Sequence, residues 1–128
     1  MAENIKLLVL DDEPDVCDIV ELMFKKEGLD IYSALNGEEA LKIFQEQRPQ
    51  IVLIDIKLGQ PMDGIGVLRR IKEIDHSTYC IMVTRIDDTT TQETSKFVGA
   101  DLYLVKPNAI DELKGAVLRQ VEKIKIGK

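Results

Sequence analysis

Three aspartates, one threonine and one lysine stand directly after short apolar runs, and together they carry the groups that hard-metal and phosphoryl chemistry needs. Asp11 and Asp12 follow Ile5–Leu10, Asp55 follows Ile51–Ile54, Thr84 follows Cys80–Val83, and Lys106 follows Leu102–Val105. If the runs are strands lying side by side, three carboxylates meet in one crevice. Their repulsion and desolvation must then be offset by protons or by a cation. Oxygen-only donors with room for water suit Mg²⁺, whereas no His and Cys set suits zinc. A hydroxyl from Thr84 and an ammonium from Lys106 beside that cation can hold a dianionic phosphoryl group, whose charged oxygens each need a partner. Read singly, the residues say less. Asp12 or Glu13 can equally cap a following helix, and Lys106 alone is compatible with a surface lysine.

The elements that must position these groups alternate along the chain. Four runs of four to six residues are nearly continuous in apolar character, as strands of a parallel sheet buried on both faces are. A more mixed fifth, Leu29–Leu35, fits an edge strand. Between them lie helical patterns. Val16, Ile19, Val20, Met23 and Phe24 form one apolar stripe, with Pro14 in the first turn and Gly28 at the C′ position. Ala40, Leu41 and Phe44 mark a second helix that ends before Pro49, and Ile65, Leu68, Ile71 and Ile74 mark a third. The fourth, Asp88 to Val98, holds four threonines and only Phe97 and Val98 as anchors, which makes it the weakest, and Gly99 ends it. Ile110, Leu113, Val117, Val121 and Ile124 mark a fifth, with Asn108 as N-cap and Asp111 as its N3 partner. Five strands alternating with five helices give an α/β, (βα)5 doubly wound fold of flavodoxin-like type. Its five-stranded parallel sheet is expected in the order 2-1-3-4-5, with ligands beyond the carboxyl ends of the strands.

Composition narrows the function classes. The 128 residues suit one domain, with 45% hydrophobic side chains for a core and 31% charged. A net charge of −6 argues against a DNA-binding face. Residues 105–128 are locally basic, with six basic and three acidic side chains, and read as a solvated final helix. No apolar run is long enough for a membrane helix or a signal peptide, so a cytoplasmic protein is expected. Cys17 and Cys80 lack metal or disulfide spacing and read as buried small hydrophobes. His76, the only histidine, reads as a surface residue.

The set Asp11-Asp12, Asp55, Thr84 and Lys106-Pro107, with Asp63-Gly64 and Gly99-Ala100-Asp101 between, resembles the receiver domain of bacterial two-component response regulators across essentially residues 1–128. The resemblance implies that Asp55 accepts a phosphoryl group from a phosphohistidine on a sensor histidine kinase or phosphotransfer protein. It also implies Mg²⁺ on Asp12, Asp55 and the backbone carbonyl of Lys57, with Asp11 acting through water. Thr84 and Lys106 would contact the phosphoryl oxygens, and Tyr103 would be an aromatic switch coupled to Thr84. The chemistry would be limited to Mg²⁺-dependent self-phosphorylation from small donors and slow self-dephosphorylation, so the protein is a signalling switch rather than an enzyme. An output partner or domain is implied, a homodimer on phosphorylation is allowed, and neither a nucleic-acid nor a membrane contact is expected. The alternative is a pseudo-receiver that keeps the fold as an interaction module, against which the complete acidic set, Thr84 and Lys106 weigh. A phosphatase or flavodoxin-like cofactor binder fits less well, without a cap domain or a phosphate-cradling glycine loop. Three departures from the family pattern stand out: Asp63-Gly64 falls one residue late after Lys57–Met62, Arg85 replaces a small residue, and Asn108 stands where phenylalanine is frequent.

Overall fold

A computed structural model describes residues 4–56, 63–106 and 109–127, with the side chains of residues 109 and 110 left aside. Lys57, the rest of the loop to Met62, Pro107 and the N-cap expected at Asn108 therefore lie outside the described residues, as does the side chain of Ile110.

Strands and helices alternate as β1 (Lys6–Leu10), α1 (Pro14–Lys25), β2 (Asp30–Ala34), α2 (Gly37–Gln47), β3 (Ile51–Ile54), α3 (Gly64–Ile74), β4 (Tyr79–Thr84), α4 (Thr89–Val98), β5 (Leu102–Val105) and α5 (Ala109–Ile126). All pairings are parallel, and the sheet order is β2-β1-β3-β4-β5, as expected. Alternation along each strand builds a core on both faces of the sheet. Leu7, Val9, Leu53, Ile81 and Val83 point to the side covered by α1 and α5, where Val20, Phe24, Leu113 and Val117 meet them. Leu8, Leu10, Val52, Ile54 and Met82 point to the other side, onto Phe44, Leu68 and Ile71 of α2 and α3. Each side chain of this size contributes roughly 1.5–3 kcal/mol when fully buried, so the apolar runs hold the sheet between its helices.

Local signals set the helix ends. Pro14 opens α1, and the Asn36, Asp63 and Asp88 carboxamide or carboxylate oxygens accept the backbone N–H groups of Glu39, Gly66 and Thr91 to cap α2, α3 and α4. Glu13 holds the N-cap position of α1 without a side-chain cap bond. Gly28 has the left-handed backbone expected of it (φ +83°), but it lies two residues beyond the C-cap Lys26. Gly99 ends α4 with φ +126°, and the Lys72 side chain lies across its open face.

Two apolar assignments need correction. Ile19 is half exposed, because Cys17, one position round the helix from Val16, turns inward and completes the α1 core face instead. Phe97 is 93% exposed. The inner face of α4 is set by Gly99 and the caps, and it presents Thr91, Ser95 and Val98 instead of the aromatic ring. Both cysteines are buried and free, and burial pushes their thiols up to about 11 for Cys17 and about 12 for Cys80, so neither is a reactive thiolate near neutrality. His76 is exposed just past α3. No helix among the described residues is long and apolar enough to cross a membrane.

Candidate functional site

Register alone brings the candidate residues to one edge. Leu10 lies opposite Ile54 in the β1–β3 pair, so Asp11 and Asp55 leave the sheet side by side. The ladder continues one step further on each side: the Asp55 N–H donates to the Leu10 carbonyl (3.0 Å) and the Asp11 N–H to the Ala34 carbonyl (3.2 Å). Thr84 ends β4 opposite Val105, and the Lys106 N–H donates to the Thr84 carbonyl at 2.8 Å. This is the carboxyl edge at the neighbouring strands β1 and β3, whose connections run to opposite faces. The fold opens a crevice there.

Carboxylate oxygens of Asp11, Asp12 and Asp55 lie within 4.8 Å of one another. Asp11 and Asp55 are buried and Asp12 is exposed, so one ligand position faces water. The Lys106 ammonium spans the two buried carboxylates, 2.7 Å from Asp11 Oδ2 and 3.3 Å from Asp55 Oδ2. Burial works against that ammonium, but the Asp11 hydrogen bond and the charges of Asp55 and Asp11 outweigh it and hold its pKa above the ordinary lysine value. Asp11 is fixed from its other oxygen, which accepts the Glu13 N–H at 3.0 Å. Among the described residues, one lysine faces the three carboxylates.

The donor set fits a hard divalent cation. Oxygens about 2.1 Å from one Mg²⁺ stand at most about 4.2 Å apart, so a small closure, or one water between ion and ligand, accommodates all three carboxylates. The exposed Asp12 side leaves space for the waters Mg²⁺ retains. The backbone carbonyl expected from Lys57 lies outside the described residues.

Thr84 is fully buried, and its hydroxyl oxygen accepts the Ile86 N–H at 3.4 Å, which leaves its own proton free to donate. The Tyr103 hydroxyl donates to the carbonyl of the same Ile86 at 2.6 Å. Thr84 and Tyr103 are thus joined through one residue of the β4–α4 connection. Burial and the negative charges of Asp88, Asp87 and Asp55 raise the Tyr103 pKa, so its phenol stays protonated and can keep donating. Arg85 is exposed and stands with Asp55 and Lys106 at the rim of an apolar cavity of about 180 Å³, walled by Val9, Val16, Leu53, Val83 and Leu113.

Two more residues build this edge, one read from the sequence only as part of the family pattern and one missed there. Gly64 opens α3 with its N–H on the Ile56 carbonyl (2.9 Å), and a Cβ there would collide with the Asp55 carbonyl and lie 2.7 Å from Ile56 Cα. A glycine directly after an N-capping aspartate was the available signal. The second is Ile86, whose part is played by its backbone and which leaves no trace in side-chain type.

Residues 7–118 match the family model described as response regulator receiver domain. The chain is 38% identical over 114 residues to sporulation initiation phosphotransferase F of Bacillus subtilis, covering 89% of this chain and 91% of that protein. It is 37% identical over 121 residues to a probable transcriptional regulator, ycf27, of Porphyridium aerugineum, covering 92% of this chain but 50% of the regulator. The chain therefore spans nearly all of the first relative and about half of the second. In fold it is similar to a CheY-like response regulator receiver domain protein from Methanospirillum hungatei, with a TM-score of 0.90 at 23% identity, over 98% of this chain and 100% of that one. With the carboxylate cluster at the carboxyl edge of a β2-β1-β3-β4-β5 sheet, the chain belongs to the response regulator receiver domain family, the phosphoryl-accepting switches of two-component signalling.

Proposed function

We propose that residues 1–128 act as one receiver unit in which Asp55 is the phosphoryl acceptor, Asp11, Asp12 and Asp55 hold Mg²⁺ with the Lys57 carbonyl, and Thr84, Lys106 and Tyr103 read the modification. The observation that carries the assignment is the largely buried Lys106 ammonium, which bridges Asp55 and Asp11.

An Asp55 oxygen attacks the phosphorus of a phosphohistidine on a sensor histidine kinase or phosphotransfer protein. The P–N bond breaks, the imidazole leaves with the electron pair, and an acyl phosphate forms on Asp55. Bound Mg²⁺ supplies charge neutralisation for the transferring oxygens. The chain's own residues do the rest. Asp11, fixed by the Glu13 N–H, keeps the crevice geometry. Lys106 moves its salt bridge from the Asp55 carboxylate to a phosphoryl oxygen, which keeps an ion pair throughout and avoids an unpaired buried charge. The Thr84 proton, which has no acceptor among the described residues, donates to a second phosphoryl oxygen. Drawing Thr84 toward Asp55 stretches its already long bond to the Ile86 N–H and loosens the residue on which Tyr103 hangs. That transmits the new charge to the surface formed by α4 and β5, where an output partner or domain would sense it. Later attack of water on the acyl phosphate restores the carboxylate. A cytoplasmic setting goes with such a donor, and homodimer formation on phosphorylation is compatible with an output face of this kind.

Intact-mass measurement after incubation with acetyl phosphate and Mg²⁺ tests the acceptor. Wild type should gain one phosphoryl mass, and Asp55→Asn should gain none. Equal gain in both proteins would overturn the assignment of Asp55, and gain without Mg²⁺ would overturn the metal requirement.

A further inference from the structure

On the side of the sheet covered by α1 and α5, the packing leaves the cavity of about 180 Å³ that opens beside Asp55. Protein interiors hold few voids larger than one water molecule, so an opening of this size needs a reason. Its walls are hydrocarbon: Val9, Leu53 and Val83 from the sheet, Val16 and Val20 from α1, and Leu113 from α5. Water settles in a cavity only where several polar groups hold it, and these side chains offer none. An apolar cavity of roughly 150 Å³ takes up a molecule the size of benzene. The mouth has a different character. Asp11, Asp55, Arg85 and Lys106 line it together with Ile19. Asp11 and Asp55 already hold the Lys106 ammonium, at 2.7 and 3.3 Å. Arg85 is exposed and makes no ion pair among the described residues. Ile19 is the residue of the α1 stripe that leaves the core half exposed, and its place at the mouth is where a seated molecule would cover it.

We propose that this cavity binds a small carboxylate with a compact hydrocarbon body, of the size of benzoate: the body fills the space between α1, α5 and the sheet, and the carboxylate meets Arg85 at the mouth. The planar guanidinium matches a carboxylate with two parallel hydrogen bonds. A neutral molecule of the same shape gains the apolar contacts alone, and a cation meets Arg85 with like charge. Asp55 and Lys106 border the same mouth, so a carboxylate seated there crowds the space in which a phosphoryl group on Asp55 would lie. The ligand therefore opposes modification of Asp55, and this second part rests on the phosphoryl reading.

Binding is tested on the unmodified protein by backbone amide shifts in titrations with benzoate, benzyl alcohol and benzylamine at constant ionic strength. Benzoate should shift the amides of Val16, Val20 and Val83 saturably and bind about fivefold or more tightly than either of the other two. No saturable shift at these amides, or benzyl alcohol or benzylamine binding as tightly as benzoate, would overturn the proposal. Arg85→Gln should reduce benzoate to the level of benzyl alcohol and leave benzyl alcohol unchanged; an undiminished benzoate affinity would overturn the role of Arg85. Val16→Phe places a ring in the cavity and should weaken benzoate about tenfold or more. Val83→Ile adds a single carbon to the same wall and should weaken it several-fold, which keeps the test open if the larger change unfolds the chain. Unchanged affinity in whichever variant folds would overturn the cavity as the site. For the second part, beryllofluoride is titrated in Mg²⁺ with and without saturating benzoate. Benzoate should raise the beryllofluoride needed for half-conversion several-fold, and an equal midpoint would overturn the competition. A chain that gives no response to beryllofluoride at all would refute the phosphoryl reading, while the benzoate titrations would still decide the cavity.

Discussion

Replacing Lys106 with methionine keeps the aliphatic stem and removes an ammonium that bridges two buried carboxylates. Asp11 is 3% exposed and Asp55 7% exposed, so neither can turn fully into water when its partner goes. Their oxygens stand no more than 4.8 Å apart, and at an effective dielectric of about 20 that separation gives a repulsion of at least about 3.5 kcal/mol. Removal of one partner from a buried ion pair costs roughly 3–5 kcal/mol by experience with other proteins, which agrees with the Coulomb figure. Lys106→Met is therefore expected to lose about 3 kcal/mol, a large part of a total stability of roughly 5–15 kcal/mol. The assay is urea unfolding at pH 7 in EDTA and again in millimolar Mg²⁺. In EDTA the variant should be the less stable protein by about that amount. A cation that replaces the ammonium should bind the variant more tightly than wild type, so Mg²⁺ should narrow the gap by at least about 1.4 kcal/mol, the equivalent of a tenfold gain in affinity. Adding Asp55→Asn to the variant removes one of the two repelling charges and should recover most of the loss, whereas the same change in wild type should not stabilise by as much. A Lys106→Met protein as stable as wild type in EDTA, or an equal Mg²⁺ increment in both, would refute the electrostatic reasoning.

Three further outcomes are expected. Because the Lys106 pKa is raised in the folded state, the stability it contributes is fully present below its ordinary value of 10.5 and is lost as pH rises through the higher folded value; the wild-type minus Lys106→Met difference should stay level from pH 8 to pH 10 and shrink above that, as read by unfolding midpoints. Gly64→Ala should lose about 2 kcal/mol or more and weaken Mg²⁺ binding, since its Cβ must displace the Asp55 carbonyl; a midpoint equal to wild type would show that the α3 start can move freely. Arg85→Ala should shed phosphoryl label a few-fold faster, because Arg85 lines the same cavity as Asp55 and Lys106 and a long cation turned toward the acyl phosphate would obstruct an attacking water; unchanged or slower decay would mean that Arg85 does not obstruct.

How far the sequence could be read depended on whether a signal was local. The strand Ile51–Ile54 coincides with its apolar run, since a strand buried on both faces needs every residue apolar and ends where the first charge appears, and Leu102–Val105 coincides with its run too although it is a partly buried edge strand. The same charge that ends a strand is the one delivered to the carboxyl edge, so strand ends and site residues were a single signal at Asp11, Asp55 and Lys106. Periodicity alone served less well on the helices. In α1 the stripe Val16, Ile19, Val20, Met23 and Phe24 meets the core at every position but Ile19, and it passes over Cys17, which is buried beside Val20.

Helix α4 shows why hydrophobicity can mislead in the other direction. Phe97 is the strongest apolar residue of its segment, so a pattern search anchors the helix on it, yet Asp88 and Gly99 fix the ends of the helix and hence its rotation. With the ends set, Ser95 takes the inward position and Phe97 faces solvent. Capping groups thus decided which face was buried, at the expense of burial itself. A sequence under selection only for a stable core would be expected to turn this helix the other way or to place an apolar residue at 95. The chain does neither, so on this helix the local capping groups at Asp88 and Gly99 outweigh the apolar pattern.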